Sequence, residues 1–187
     1  LAQLIQRSFL PKKKPKISNL IYDYKYYPLD SVGGDFFSIN LLNKNTLSVF
    51  IGDVAGHGVS AALFLSLIKS ATDRISKKYS QQPANYIAEL NKILIDEMPS
   101  FFITAIYSLF QYDPDKELMT FTFSNGGHPY PVYFCAADNT YTIIKKSSTI
   151  VGMFEEVTYG TYSIELQRCD RIFLMTDGIP EAENELH

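Results

Sequence analysis

Residues 51–58, with the sequence Ile-Gly-Asp-Val-Ala-Gly-His-Gly, decide how this chain is organised. The apolar run of residues 47–51 predicts a strand that carries the carboxylate of Asp53 at its end. The three glycines predict a tight turn, and Ser60 is a suitable N-cap for the apolar-periodic helix that follows. A carboxylate at a strand end beside a helix N-terminus can reach a cation or a phosphate, although a strand–turn–helix corner with a solvated aspartate fits the same residues.

The composition is that of a globular domain. The chain has 187 residues, of which 46% are hydrophobic and 20% charged, and its net charge is −3. This balance gives no reason to expect nucleic-acid binding or direct membrane contact, and no apolar run approaches the roughly 20 residues that cross a bilayer. Cys135 and Cys169 have neither metal-ligand spacing nor a disulfide framework. We therefore expect both to be small core residues of a cytoplasmic protein, which an upstream domain could still anchor in a membrane.

The order of predicted elements indicates the fold class. Strands are predicted at residues 17–27, 36–42, 46–51, 102–110, 118–124, 130–135, 141–145, 159–165 and 171–176, and helices at residues 60–79 and 84–98. Two helices between runs of hairpin-linked strands predict an α+β fold with largely antiparallel sheets. The expected buried stripes of the helices are Leu63, Leu67, Ile68, Ala71 and Ile75, and Tyr86, Ile87, Leu90, Ile93 and Leu94.

The two ends of the chain are assigned separately. Residues 1–16 are expected to be the end of a linker helix and a basic linker, with a docking patch for an acidic partner as the alternative for its lysines. Residues 17–187 are expected to form the domain. Because the chain begins at Leu1 and stops at His187, we expect a piece of a longer protein.

Three aspartates share one local context. Asp35, Asp53 and Asp177 each stand beside glycine at the edge of a predicted strand. Glycine lets the backbone approach a bound ion or phosphate, and gathered carboxylates need a compensating cation. Hard oxygen ligands without a partnering His or Cys cluster suit Mg²⁺ or Mn²⁺, and two such ions can share a carboxylate and activate a water. Spacing alone does not show that the three aspartates meet.

Four ordered motifs carry a resemblance to a known family. Residues 32–37 (VGGDFF), 52–63 (GDVAGHGVSAAL), 125–129 (NGGHP) and 176–178 (TDG) resemble the PPM-type (type-2C) metal-dependent protein phosphatases, and more narrowly their bacterial SpoIIE/RsbU branch. The resemblance implies an αββα sandwich of two mainly antiparallel sheets flanked by helices. It implies a protein-serine/threonine phosphatase in which a metal-activated water hydrolyses phosphoserine or phosphothreonine, without a covalent phosphoenzyme.

The resemblance also implies a metal-binding set. Asp53 would bridge two Mg²⁺ or Mn²⁺ ions, and the backbone carbonyl of Val54 would ligate one of them. Asp177 would hold the other ion, and Asp35 would contact the centre directly or through water. These three aspartates are therefore the predicted catalytic residues.

Several further residues remain open at this stage. His57 could act as a general acid, or its position could simply be that of a turn residue. His128 is expected to orient the Asn125–Pro129 loop rather than bind metal, and Asn125 could hydrogen-bond near the site. Glu181 and the acidic residues after it are not assigned as ligands.

The end of the chain departs from the family pattern. A further helix, a closing strand and an Asp-Asp metal-ligand pair normally follow the TDG motif, so we expect a C-terminally truncated domain whose closing elements are missing. The activity of this piece is then open. The alternative function is an inactive phosphatase-fold module that binds a phosphoprotein partner.

The resemblance implies partners as well. The substrate would be a phosphorylated regulatory protein of the anti-sigma-factor antagonist type, and an upstream sensor domain in the same chain would control the phosphatase. The amphipathic N-terminal helix makes a homodimer an option.

Overall fold

The computed structural model describes residues 8–11, 14–28, 33–54, 59–99 and 101–182. Its elements are β1 (Asp35–Asn43), β2 (Thr46–Val54), α1 (Val59–Tyr79), α2 (Pro83–Glu97), β3 (Ile103–Asp113), β4 (Leu118–Gly126), β5 (Val132–Cys135), β6 (Thr140–Ile143), β7 (Tyr162–Leu166) and β8 (Arg171–Phe173). None of the helices within these ranges is long and apolar enough to cross a membrane.

The strands form two antiparallel sheets, as predicted. A five-stranded sheet has the order β1-β2-β3-β4-β7, and a three-stranded sheet has the order β6-β5-β8. In the β1–β2 hairpin Asp35 lies opposite Asp53, and the register shifts between Leu41 and Asn43, where β1 carries one extra residue. This hairpin and its register place the first two predicted site residues side by side.

The helical hairpin packs on one face of the five-stranded sheet. Its residues bury themselves at helical spacing, because Tyr86, Ile87, Leu90 and Leu94 recur every three or four positions along α2 and are each at most 1% exposed. The ring of Tyr86 stacks on that of Tyr107 in β3, with 3.7 Å between the centroids. The predicted stripe of α2 is therefore confirmed for these four residues.

The predicted stripe of α1 is partly wrong. Leu67 is 50% exposed, whereas Phe64 and Leu65 are buried together with Ile68. The buried stripe is centred on Ile68 and Ile75, so Leu67 lies at its margin, on the side of the helix that faces solvent. The side chain of Leu63 lies outside the described residues.

A second core lies between the two sheets. Leu47, Ile106 and Phe121 project from the five-stranded sheet, and Tyr133 and Ile172 from the smaller sheet pack against this layer. Side chains alternate between the two faces of a strand, so the central strands of the larger sheet bury apolar groups on both sides. Within the described ranges the layers are thus helix, sheet and sheet, and the site lies at one end of the sheet-on-sheet interface.

The predicted strand at residues 17–27 is wrong. The segment contains only an isolated bridge between Ile17 and Leu20. Its aromatic residues pack on the edge of the sheet instead of pairing through the backbone, as shown by the rings of Tyr24 and Phe37, whose centroids are 5.0 Å apart. The aromatic side chains of this segment therefore cover the edge strand β1.

The expectation that both cysteines are core residues is also wrong. Cys135 is half-buried, and Cys169 is exposed. Cys169 occupies a turn with a φ of 71°. A turn residue with positive φ lies at the surface, so its apolar character does not determine its burial.

Candidate active site

The register of β1, β2 and β3 builds a polar row at the end of the sandwich. Asp35 pairs with Asp53, and Asp53 pairs with Thr104 on its other side. Directly opposed residues of antiparallel strands point to the same face, with Cα atoms about 4.5–5.5 Å apart. The backbone ladder therefore brings two of the predicted carboxylates together without any contribution from their side chains.

The segment after β8 adds the third aspartate. The hydroxyl of Thr176 donates a hydrogen bond to Oδ2 of Asp35 across 3.1 Å. The following residue, Asp177, lines a cleft together with Asp53. A short turn holds this segment, since the Glu181 amide donates to the carbonyl of Asp177 at 2.9 Å. Residues far apart in the chain thus meet at one end of the sheets.

Burial and mutual repulsion disfavour charge at this end. The pKa of Asp53 is raised to about 7, first by burial and then by the neighbouring charges of Asp35 and Asp177. Burial also raises the pKa of Asp35, against the hydrogen bond from Thr176, which lowers it. A divalent cation would reverse both effects, because it favours the ionised carboxylates.

The other side of the cleft is held by side-chain hydrogen bonds. The amide nitrogen of the Asn125 side chain donates to the His128 carbonyl at 2.9 Å, and the His128 backbone N–H donates to Oδ1 of Asn125 at 2.8 Å. Nδ1 of His128 lies 2.9 Å from the hydroxyl of Thr104. Between them Gly127 adopts a φ of 73°, which favours glycine. These contacts are those expected of residues that hold the loop.

His128 is neutral in this environment. It is 3% exposed. Burial lowers the pKa of its imidazole to about 4, although the backbone of Met175 opposes that shift. A neutral imidazole bonded to Thr104 can fix the position of the loop relative to the strand that adjoins Asp53.

The cleft between the two sides has a volume of about 540 Å³. Its lining residues are Asp53, Thr104, Gly127, His128, Pro129, Tyr130, Ser147, Ser148, Asp177 and Glu181. We call Asp53 and Asp177, with Asp35 next to Asp53 on the edge strand, the carboxylate wall. We call residues 127–130 together with Ser147 and Ser148 the loop wall.

Sequence reasoning missed part of this lining. Thr104, Tyr130, Ser147 and Ser148 had no assigned role, and only the NGGHP motif pointed to the neighbourhood of Tyr130. Ser147 and Ser148 reach the cleft through bonds to residues about twenty positions away, such as the 3.1 Å bond from the Gly127 amide to Oγ of Ser147. A local pattern cannot report such contacts.

The predicted metal ligands remain predictions. Nowhere in the described ranges do three or more His, Cys, Asp or Glu side chains form a group that could hold a metal ion. The amide of Val54 donates to the carbonyl of Gly34 at 3.2 Å, which ties β2 to the residue before Asp35. His57 lies outside the described residues, so its predicted role stays open.

Known proteins are similar to this chain in sequence and in fold. The chain is 28% identical over 186 residues to "Phosphoserine phosphatase RsbU" of Bacillus subtilis (strain 168), a match that covers 99% of this chain and 54% of RsbU. The chain thus spans about half the length of that relative.

Two solved structures extend the likeness. The SiaA-PP2C domain of Pseudomonas aeruginosa matches with a TM-score of 0.68 and 21% identity, covering 81% of this chain and 58% of that one. The RsbU and RsbW domains of Rv1364c from Mycobacterium tuberculosis match with a TM-score of 0.65 and 24% identity, covering 80% and 40% of the two chains. Similarity at these identities shows a shared fold.

The family assignment rests on most of the chain. The model of the family described as Stage II sporulation protein E (SpoIIE) matches residues 43–186, which span the strands and turns that carry Asp53, Asn125 and Asp177. Asp53, the NGGHP loop and the TDG turn therefore lie in the matched region, and the chain belongs to the SpoIIE family.

Proposed function

We propose that this chain is a metal-dependent protein-serine phosphatase domain that hydrolyses phosphoserine, and by the same chemistry phosphothreonine, on a regulatory protein. One observation carries the proposal: Asp35 and Asp53 lie directly opposite each other, and the Thr176–Asp177 segment closes on them. The likeness to RsbU, which is named a phosphoserine phosphatase, supports the substrate class.

The donor set fits a hard divalent cation. Asp35, Asp53, Asp177 and the carbonyl of Val54 would hold Mg²⁺ or Mn²⁺, with two ions expected. All are oxygen donors, and the raised pKa of Asp53 is the sign of carboxylates that lack a compensating charge. When bound, such ions activate water as a nucleophile at neutral pH and neutralise phosphoryl oxygens.

The rest of the chain supplies positioning. The β1–β2 ladder fixes Asp53, and the hydrogen bond from Thr176 orients the carboxylate of Asp35. The Asn125–His128 bonds hold the loop on the other side, and Thr104 joins that loop to β3. The placement of these groups matters, because a misplacement of about 1 Å can cost roughly 10²-fold in rate.

Partners and control belong to the same proposal. A phosphorylated regulator of the anti-sigma-factor antagonist type is the proposed substrate, and an upstream sensor domain is the proposed source of control. The M. tuberculosis neighbour, which contains both RsbU and RsbW domains, supports a place in a signalling system. A cytoplasmic location and a homodimer remain predictions.

The test is release of phosphate with and without Mn²⁺. A phosphoserine peptide and p-nitrophenyl phosphate serve as substrates for the wild type, Asp53→Asn and Asp96→Asn, the last being a surface aspartate of α2. We expect Mn²⁺-dependent release that Asp53→Asn abolishes and Asp96→Asn retains. Activity that survives Asp53→Asn would contradict the proposal.

A non-catalytic phosphoprotein-binding module is the second candidate. The observation that favours it is that the described residues hold no group of three potential ligand side chains close enough for a metal. Binding of the phosphopeptide by the wild type in Mn²⁺, with no phosphate released, would identify this function.

A further inference from the structure

The loop wall continues into a segment that carries two adjacent lysines. Lys145 and Lys146 directly precede Ser147 and Ser148, which line the cleft, and both lysines are exposed. The ion pairs found in the described part of the chain include neither of them. Two uncompensated cations therefore lie next to the cleft of a chain whose net charge is −3.

The lysine segment is fixed to the body of the domain. The amide of Ser148 donates to the Asn125 carbonyl at 2.8 Å, and Oγ of Ser148 donates to the Thr158 carbonyl at 3.0 Å. Nζ of Lys146 lies 5.6 Å from the centroid of the Tyr162 ring, a cation–π contact that gives this side chain a preferred position. Because the backbone of the segment is already fixed, binding has to order only the lysine side chains.

Tyr130 adjoins the lysines across a backbone pair. The amide of Ile144 donates to the Pro131 carbonyl at 2.9 Å, which extends the β5–β6 ladder by one step. Tyr130 and Lys145 are the next residues along these two paired segments. Tyr130 is 43% exposed and lines the cleft, and the prolines on both sides of it restrict its backbone.

The opposite side of the cleft offers no matching positive side chain. Glu181 lines it and is exposed, Asp177 is one of the residues that would hold the metal ions of the proposed function, and no lysine or arginine is among the lining residues described. A polypeptide that crosses the cleft would therefore meet lysines on one side of its phosphoserine only. Such a field would favour a ligand that is acidic on one side of its phosphoserine only.

We infer that Tyr130 and the Lys145–Ser148 segment are specificity-determining, and that they bind the polypeptide on one side of the phosphoserine and select acidic residues there. The inference rests on the proposed function, because it names the substrate class of the same cleft. Tyr130 would pack against the bound peptide whatever its charge, and Lys145 and Lys146 would supply the selection. Exposed ion pairs contribute modestly, so the expected preference is roughly 3- to 30-fold for two lysines, and it weakens as salt is added.

The experiment uses four phosphoserine peptides with a common centre, carrying glutamates or lysines either before or after the phosphoserine. The enzymes are the wild type, Lys145→Glu/Lys146→Glu and the matched control Lys77→Glu/Lys78→Glu, which changes two adjacent exposed lysines at the end of α1. The readout is the ratio of kcat/KM for the glutamate and lysine peptides. We expect the preference for glutamate on one side of the phosphoserine to be lost or reversed in Lys145→Glu/Lys146→Glu and kept in the control.

Tyrosine substitutions separate packing from charge. Tyr130→Ala should lower kcat/KM for all four peptides by a similar factor, and Tyr130→Phe should retain most of the wild-type value. Equal ratios in Lys145→Glu/Lys146→Glu and in the control, or equal charge coupling on both sides of the phosphoserine, would overturn the inference. Unchanged kcat/KM in Tyr130→Ala would show that Tyr130 does not contribute to peptide binding.

A binding measurement distinguishes this inference from the proposed function. The same peptides, labelled with fluorescein, are titrated with proteins that carry Asp53→Asn, and affinity is read by fluorescence anisotropy. If the wild type releases no phosphate from any peptide, the proposed function fails. The ratio of affinities with and without the lysine change then still decides whether this surface selects acidic peptides.

Discussion

The two walls of the cleft are held in place by different kinds of bond. The carboxylate wall takes its geometry from backbone pairing, since Asp35 and Asp53 are opposed in the β1–β2 ladder. The loop wall depends on side chains, chiefly the two bonds between Asn125 and His128 and the bond from Thr104 to the imidazole. A substitution in the carboxylate wall should therefore lower activity without destabilising the fold. A substitution in the residues that hold the loop wall should lower the stability of the fold.

Burial shifts the pKa values of the two walls in opposite directions. It raises the pKa of Asp53 to about 7 and lowers that of His128 to about 4, because in both cases the charged form is the one that burial disfavours. Burial of Asp53 therefore lowers the stability of the metal-free protein at high pH, and burial of His128 lowers it at low pH. Four substitution experiments test this difference between the walls.

The largest effect is expected for Asp53→Asn. Turnover should fall by roughly 10³-fold or more, since several kcal/mol of charge stabilisation is lost. In EDTA at about pH 8 the variant should instead unfold at a higher temperature than the wild type, because a buried carboxylate beside two others is neutralised. Thermal unfolding followed by circular dichroism measures this. A lower unfolding temperature would show that Asp53 holds the strands together.

Asn125→Ala should destabilise the protein by about 2–4 kcal/mol. The side chain is 1% exposed, and its removal leaves the backbone N–H and carbonyl of His128 without their partners. Urea unfolding gives the free energy of unfolding, and the control is Asn40→Ala at an exposed position of β1, which should stay within about 0.5 kcal/mol of the wild type. An equally small change in Asn125→Ala would mean that the loop is held by other contacts.

The pH dependence of the unfolding free energy reports on His128. Its folded pKa of about 4 lies below the unfolded value of 6.5, so the unfolded state binds more protons between these values. Stability should therefore fall as pH drops through this window, by at most about 1.4 kcal/mol per pH unit.

The measurement compares Asp53→Asn with Asp53→Asn/His128→Gln, because ionisation of Asp53 changes stability in the other direction between about pH 4 and 7. The unfolding free energy of the double variant should vary less with pH. Parallel curves for the two proteins would show that His128 is not the group responsible.

Thr104→Val should have the smallest effect, about 1–2 kcal/mol. The substitution keeps the shape of the side chain and removes the hydrogen bond to Nδ1 of His128. Thr104→Ser should recover most of the loss, because the hydroxyl returns. The free energies come from urea unfolding, and a Thr104→Ser variant as unstable as Thr104→Val would point to lost packing of the methyl group.

Local periodicity was sufficient for most of the architecture. Both helices and the hairpin-linked strands follow from apolar spacing and turn residues, and the face of α2 is correct because its buried residues repeat at helical intervals. The strand predicted at residues 17–27 was wrong because strand formation needs a partner as well as suitable residues.

The site was only partly accessible from the sequence. The motifs identified Asp35, Asp53 and Asp177, but nothing local shows that the first two are cross-strand neighbours. Ser147 and Ser148 had no signature at all, because what places them in the cleft is their bonding to residues in another part of the chain.

The extra residue near the turn of the β1–β2 hairpin sets the phase of the whole ladder. Leu41 pairs with Leu47 but Asn43 with Thr46, so Leu42 is the inserted residue. A ladder in which Leu42 took the place opposite Leu47 would set Asp35 against Val54 and turn Asp35 to the face opposite that of Asp53. Deleting Leu42 itself would leave a regular ladder with Asp35 still opposite Asp53. Losing a residue of β1 between Leu42 and Asp35 would instead shift the pairing by one and separate the two carboxylates, although every aspartate would remain in the gene.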